Sequence, residues 1–321
     1  MGTSRPEVTI SVVIPAYNAA HFLPRSLASV FAQTLPPTEV IVVDDGSSDN
    51  SAQVAEQLGA KVIRRPNGGQ ASARNAGIEA ARGEWIALLD ADDWWEPKKL
   101  ARQTAAIRPG AVLVYTGAKQ FDDSGVRAVH RAIDPSVAKK MLRYSNPITA
   151  SSVLVRRQAV LDLGGFNVAA PPCEDWELWA RLLPIGQFVA VEDPLTQYWL
   201  SPQSSSASPE RMLAATSRIM EETLLNGLKG IPRFAWRRRI WAAQLLSAAL
   251  IARDNRLKGE FGYAVRSLLA WPSPFFRRQR FAVFAVSLRN VIAGCFKGAS
   301  QSASLTKKSG VNGNAQDEDR S

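Results

Sequence analysis

Five short runs of branched apolar residues recur in the first 115 positions, separated by stretches with helical spacing, and few folds satisfy that alternation. The runs are Thr9–Ile14, Val40–Asp44, Lys61–Arg64, Trp85–Leu89 and Val112–Tyr115. Each is nearly uniformly apolar, as expected of strands covered on both faces. Helical periodicity fits His21–Ala32, Ser51–Leu58, Ala71–Ala81 and Lys98–Ile107. The pattern predicts an α/β domain with a Rossmann-like, mostly parallel sheet flanked by helices. Further on, Arg127–Asp134 and Ser151–Val155 read as edge strands, and Glu174–Leu183 as a helix after the loop Gly164-Gly165-Phe166-Asn167.

The breaker-rich stretch Ser201–Pro209 predicts the end of this domain, which is expected over residues 1–206. Residues 210–297 read as a basic amphipathic helical extension, divided by Pro232, Pro272 and Pro274 into three pieces. The Ser-, Gly-, Asn- and Asp-rich residues 298–321 have the composition of a disordered tail. The net charge of +10 is unevenly placed, because Arg211–Lys297 holds sixteen Lys or Arg against four Asp or Glu. A basic excess confined to one segment points to an anionic surface partner, and a membrane fits it better than nucleic acid, since no single-strand-binding motif accompanies it. The bland alternative is a helical cap with a solvated basic face.

Cys173 and Cys295 lie far apart and form no CxxC or Cys/His pattern, so neither a disulfide framework nor zinc is indicated. Met1–Thr9 has no apolar core of a leader, and Phe281–Phe296 is short and interrupted by Arg289, whereas a spanning helix needs about 20 apolar residues. These features predict a cytoplasmic chain, peripheral on the inner face of the cell membrane if the basic segment docks there.

In open α/β sheets a ligand binds outside the carboxyl ends of the strands, and in this chain those positions are polar. The first strand runs into Pro15-Ala16-Tyr17-Asn18, the second into Asp44-Asp45-Gly46-Ser47, and the fourth into Asp90-Ala91-Asp92-Asp93. Three carboxylates within four residues repel one another unless a cation holds them, and all-oxygen ligation favours Mg²⁺ or Mn²⁺. Such a cation would bridge a ligand's diphosphate and neutralise charge on it. Arg74, in the Asn67–Gly77 stretch, offers a further positive charge beside the same crevice. Asp45 is the candidate acceptor of hydrogen bonds from a nucleobase or ribose, with Tyr17 shaping the pocket, although Asp-Gly pairs also build ordinary turns. Glu174 and Asp175 open a helix, where a carboxylate can face the crevice. Asp175 is the candidate general base that takes a proton from an acceptor hydroxyl. Trp94, Trp95, Trp176 and Trp179 stand near these motifs, and the helical spacing of the last two favours the core over sugar stacking.

Ile14-Pro15-Ala16-Tyr17-Asn18, Val42–Asp49, Asn67–Gly77 with Arg74-Asn75, Asp90–Asp93 and Glu174-Asp175 occur in an order that closely resembles family 2 glycosyltransferases of the GT-A fold. The likeness covers roughly Thr9–Ser206. It implies an inverting, metal-dependent transfer from a nucleoside-diphosphate sugar, UDP-linked in the first instance, to an acceptor hydroxyl, in cell-surface polysaccharide or glycolipid synthesis. It also implies a donor site at Pro15, Ala16, Tyr17, Asn18, Asp44, Asp45, Arg74, Asn75, Asp90 and Asp92. A metal at Asp92 and Asp93, a base at Asp175, and an acceptor side at Gly165, Glu174 and Trp176 follow from the same likeness, with a glycan or lipid-linked acceptor as partner. One departure stands out. Many members carry Tyr-Arg-x-His near the domain's end, whereas this chain reads Tyr198-Trp199-Leu200-Ser201.

A dinucleotide-dependent oxidoreductase would show G-x-G-x-x-G after its first strand, where this chain has Pro-Ala-Tyr-Asn. The remaining rival is a catalytically silent nucleotide-sugar-binding module that uses its basic helices to hold a partner.

Overall fold

A computed structural model of the chain describes residues 8–201, 204–271 and 281–289. The tail from 298, Cys295 and the segment around Pro272 and Pro274 lie outside the described residues. The strands are β1 (Ile10–Ala16), β2 (Glu39–Asp44), β3 (Lys61–Arg64), β4 (Trp85–Leu88), β5 (Trp94–Trp95), β6 (Ala111–Asp122), β7 (Gly125–His130), β8 (Val153–Arg156) and β9 (Gln187–Trp199). The helices are α1 (Leu23–Phe31), α2 (Ser51–Gln57), α3 (Gln70–Ala80), α4 (Lys99–Ala106), α5 (Pro135–Met141), α6 (Arg157–Asp162), α7 (Glu174–Leu182), α8 (Pro209–Ile219), α9 (Gly230–Asp254) and α10 (Glu260–Ala270).

One mixed sheet runs in the order β3-β2-β1-β4-β8-β6-β9-β5, with β7 paired to β6. Strands β3, β2, β1 and β4 are parallel. Because β8 is antiparallel to both β4 and β6, and β9 is parallel to β6, the long strands β6 and β9 point the same way as the first four. Their carboxyl ends therefore meet at one edge, and the reversed strand β8 brings its amino end there too.

Alternate residues of each strand go to opposite faces, which is why the runs look continuously apolar. Val13, Ile41, Val43, Ile86 and Leu88 pack with α3, α6, α7 and α8. Val12, Ile14, Val40, Val42 and Trp85 pack with α1, α2 and α4. At Gly77 of α3 an added Cβ would lie 2.5 Å from a Val13 methyl, so glycine is what lets α3 rest directly on β1.

The sequence reading is corrected at two points. Ser151–Val155 leads into β8, which is a central strand and not an edge, because antiparallel pairing on both sides inserts it between β4 and β6. The thirteen-residue β9 has no counterpart in the sequence reading, since Glu192, Asp193 and Pro194 break its apolar pattern. The ladder absorbs Pro194 through a register shift between Thr116 and Gly117 of β6. Pro232 falls at a division between helices, as the sequence reading has it: α8 has ended before it, and it sits in the first turn of α9, where the missing N–H has no helical partner to lose.

The compact unit that holds the sheet runs to Ile240, past the break that the linker suggests at 206. The reason is apolar: Ala215 and Ile219 of α8 belong to the same buried cluster as Trp179 and Leu182. A second unit begins at Trp241. Within it Leu246, Ala249, Ala264 and Val283 form a small core, and Ser267 Oγ donates to the Ala242 carbonyl at 2.7 Å. No helix among the described residues is long and apolar enough to cross a membrane.

Candidate active site

Two adjoining cavities open at the carboxyl edge of the sheet. The first, about 420 Å³, is walled by Pro15, Ala16, Tyr17 and Asn18 after β1, by Asp45 after β2, and by Asp90, Ala91 and Asp92 after β4. Asn18 holds a left-handed backbone, φ 48°, which asparagine tolerates better than most residues. Its Oδ1 accepts from Ser48 N at 2.8 Å and its N–H donates to Ser47 Oγ at 2.9 Å, so the loops after β1 and β2 are tied together. Asp45 is buried and accepts from Gly69 N at 2.7 Å and from Gly68 N, with Arg65 Nε at 3.1 Å. It fastens the Asn67–Gly69 loop to the cavity wall.

The second cavity, about 540 Å³, shares Gln70, Asp90 and Asp92 with the first and continues to Asn146, Ile148, Glu174, Asp175, Tyr198 and Ser201. Arg74, only 2% exposed, stands between the acidic motifs, with Asp90 at 2.6 Å and Glu174 at 2.9 Å. Burial opposes its charge, but Asp90 and Glu174 outweigh that and raise its pKa further. Asp175 Oδ2 accepts from Asn146 Nδ2 at 2.9 Å, and Oδ1 from Trp176 N at 2.6 Å. Burial, then the neighbouring Glu174, pushes the Asp175 carboxyl up to about 7. Burial, then Asp90, pushes Asp92 to about 6. A carboxyl near neutrality in a cavity is suited to accept a proton, and a carboxylate crowded by another is suited to meet a cation.

Two buried polar atoms around these groups, Arg74 Nε and Glu174 Oε2, have no hydrogen-bond partner among the described residues. Native interiors rarely leave such groups unpaired, so their clustering marks this edge as a place where a ligand completes the polar network.

Several sequence candidates lie elsewhere. Asp93 lines neither cavity. It is 1% exposed, and its Oδ1 accepts from Trp199 N at 2.8 Å, so it anchors the end of β9 beneath the site and does not face it. Burial, then Asp92 and Asp90, pushes its carboxyl well above the usual range. Asn75 is engaged at both ends by Phe166, accepting from its N–H at 2.7 Å and donating to its carbonyl at 2.8 Å. Gly165, at φ 78°, packs against that same amide, and neither residue lines either of these two cavities. Asp44 also lies outside both cavities and accepts from Ser47 N at 3.3 Å, the turn-building role open to it from sequence. Trp176 lines the second cavity but is nearly buried, with its indole N–H given to the Leu142 carbonyl at 2.7 Å; Trp179 is wholly buried. Both serve the core, as their spacing favours.

Four residues to which the sequence reading gave no role join the site. Gln70 donates to Asp90 at 3.0 Å and lines both cavities, and Asn146 holds Asp175. Arg25 lies 3.7 Å over the Trp94 ring and donates to the Asp92 carbonyl at 3.1 Å. Tyr198 carries its phenol among the carboxylates, where burial and then Asp93 raise its pKa. Gln70 lies within the Asn67–Gly77 stretch and Tyr198 within the run that departs from the family pattern, so both were open to a sequence reading; Arg25 and Asn146 depend on long-range packing.

Residues 11–164 match the description Glycosyl transferase family 2. This chain carries a family 2 glycosyltransferase domain. The domain is 35% identical over 185 residues to an uncharacterized glycosyltransferase of Nostoc sp., covering 53% of this chain and 56% of that protein. It is 30% identical over 189 residues to an uncharacterized glycosyltransferase of Rickettsia felis, covering 55% of this chain and 31% of the relative. Chondroitin synthase of Pasteurella multocida is 29% identical over 186 residues, 56% of this chain and 19% of that one. The chain thus spans between about a third and a little over half of the length of the first two. Among solved structures, S. aureus TarS in complex with UDP-GlcNAc superposes with a TM-score of 0.61 at 19% identity, covering 89% of this chain and 92% of that one. A mannosyltransferase of Pyrobaculum calidifontis in complex with GDP-Man and Mn²⁺ gives 0.56 at 18% identity, covering 90% and 88%. These likenesses make the family 2 domain a GT-A fold.

Proposed function

We propose that the chain moves a sugar from a nucleoside-diphosphate donor, UDP-linked in the first instance, to an acceptor hydroxyl with inversion, in the synthesis of a cell-surface polysaccharide or glycolipid. The observation that carries this reading is the shared wall: Asp90 and Asp92 border both cavities, while Asp175 lies only in the second. The nucleoside occupies the first cavity, against Tyr17, Asn18 and the loop that Asp45 fastens. The sugar lies across Asp90 and Asp92, and the acceptor enters beside Asp175. There Asp175, oriented by Asn146, takes the hydroxyl proton as the acceptor oxygen attacks the anomeric carbon from the face opposite the departing diphosphate. One displacement inverts that carbon. The complexes of TarS with UDP-GlcNAc and of the Pyrobaculum calidifontis mannosyltransferase with GDP-Man support a nucleotide-sugar donor.

Among the described residues no three His, Cys, Asp or Glu side chains gather into a metal cage. Mg²⁺ in phosphate-transfer sites is held by one or two carboxylates plus ligand phosphates and water, so Asp92 with Asp90 beside it fits Mg²⁺ or Mn²⁺ once a diphosphate is bound. The cation would neutralise charge on the departing diphosphate. Asp93, turned into the core, is not among its ligands in this reading.

The basic segment is proposed to rest on an anionic membrane surface at the cytoplasmic face. In support, Ile231 (83% exposed) and Phe234 (60% exposed) stand at the start of α9 among Lys229, Arg233, Arg237 and Arg238. Apolar tips bordered by basic residues suit an interfacial helix.

The test is calorimetric titration of UDP, GDP and their sugars, with and without Mn²⁺, into the wild type and Asp92→Ala. Metal-dependent binding that the variant loses is expected. No binding under any condition would sink the donor-site reading, and binding without transfer or hydrolysis would favour the silent module.

A further inference from the structure

A third cavity, about 460 Å³, lies in the same compact unit and is lined by Pro171, Pro172, Glu210, Arg211, Ala214 and Arg218. It adjoins the second cavity, because Pro172 lines both and Met212 of α8 faces the second while its neighbour Arg211 faces the third. A molecule whose hydroxyl meets Asp175 and which continues past Pro172 therefore runs along α8.

That face of α8 carries two positive charges over a largely apolar floor. Arg211 and Arg218 are seven residues apart, about two helical turns or 10 Å, with the small Ala214 between them. Both are exposed, and neither forms an ion pair with a carboxylate among the described residues. By contrast Arg64, Arg102, Arg156, Arg181 and Arg233 each bridge one. Arg218 is steadied against the loop before Pro171, where Nη1 donates to the Ala169 carbonyl at 3.4 Å, and Nε donates to the Ala214 carbonyl at 3.5 Å. Glu210 is the one acid in the lining, and Ser208 Oγ donates to it at 3.2 Å, so the cavity keeps a net positive charge.

We infer that this cavity is an acceptor subsite for a phosphate group, held by Arg211 and Arg218 at a fixed remove from the hydroxyl that Asp175 deprotonates. Guanidinium forks match phosphate oxygens two at a time, and a pair spaced along a groove fits an acceptor with phosphate built into its chain or its lipid linkage. The inference rests on reading the Asp175 cavity as the acceptor end of the site.

The full chain, saturated with UDP and Mn²⁺, is titrated with hexyl glucoside and with the hexyl phosphodiester of glucose. The phosphodiester is expected to bind about tenfold or more tighter, the worth of one or two charge-assisted hydrogen bonds. Arg211→Ala with Arg218→Ala erases the difference while UDP binding is unchanged, and the Lys pair restores part of it. Equal affinity for the two probes in the wild type, or a preference that survives in the double Ala variant, overturns the subsite. If UDP itself fails to bind, the donor reading falls, and the same comparison without UDP still reads the arginine pair.

Discussion

Asp175 carries two consequences of a single environment. Burial and Glu174 raise its carboxyl to about 7, so the proton-accepting form grows as pH rises through neutrality. We expect kcat/KM to climb across that range, and Asp175→Asn to lower transfer by about 10²–10⁴-fold with donor binding intact. The same shift costs stability. A carboxyl that keeps its proton in the fold contributes stability that is complete below about pH 4 and is lost as pH rises through about 7. Asp175→Asn should therefore melt above the wild type at pH 8, by about 2–4 °C for each kcal/mol recovered, with the gap closing toward pH 4. A lower melting point for the variant at pH 8 would refute the assignment of a destabilised carboxylate. Asn146 donates to Asp175 and favours its charged form. Removing that donor in Asn146→Ala should move the acid limb of the pH–rate profile to higher pH; an unmoved limb would mean that Asn146 does not orient the base.

At the scale of elements, the turn between α6 and α7 decides where Asp175, the proposed base, stands. Gly165 has φ 78°, and a Cβ there would lie 2.5 Å from Asn75 Oδ1, the atom that receives the Phe166 N–H. Gly165→Ala meets both a left-handed backbone, worth about 1–2 kcal/mol, and that contact. We expect its melting temperature, measured by calorimetry, to fall by several degrees, and KM for the acceptor to rise as the α6–α7 turn shifts. An unchanged melting point would show that the turn relaxes without cost. The α3–α7 pairing through Arg74 and Glu174 is a second such link, and its value lies in geometry, since a buried ion pair is weak evidence of net stabilisation.

On the scale of the whole molecule, charge is divided by segment: Arg211–Lys297 carries sixteen basic residues and four acidic ones, while the remainder is close to balanced. Each basic residue near an anionic bilayer is worth about 1 kcal/mol and is screened within about 10 Å at 0.1 M salt. The full chain should co-sediment with phosphatidylglycerol vesicles at low ionic strength, release as salt rises, and ignore phosphatidylcholine. Indifference to both lipids would leave the basic face to solvent or to the phosphate subsite alone.

The sequence by itself determined the sheet-and-helix alternation and the polar, acidic character of the strand ends, because both are written over a few consecutive residues and need only local periodicity to be read. Tyr17-Asn18, Asp90–Asp92 and Asp175 were legible in this way. Tertiary structure alone decided which member of an acidic pair reaches a cavity. Asp92 faces both cavities while Asp93 holds Trp199, and Asp45 lines the first while Asp44 closes a turn. Neighbours in a strand-end loop differ by a backbone rotation that only their packing partners set, and those partners come from β9, α3 and the Asn146 loop, distant in the chain. The central place of β8, the length of β9 and the inclusion of α8 in the main core were decided by pairing and burial across such distances, for which no local pattern exists.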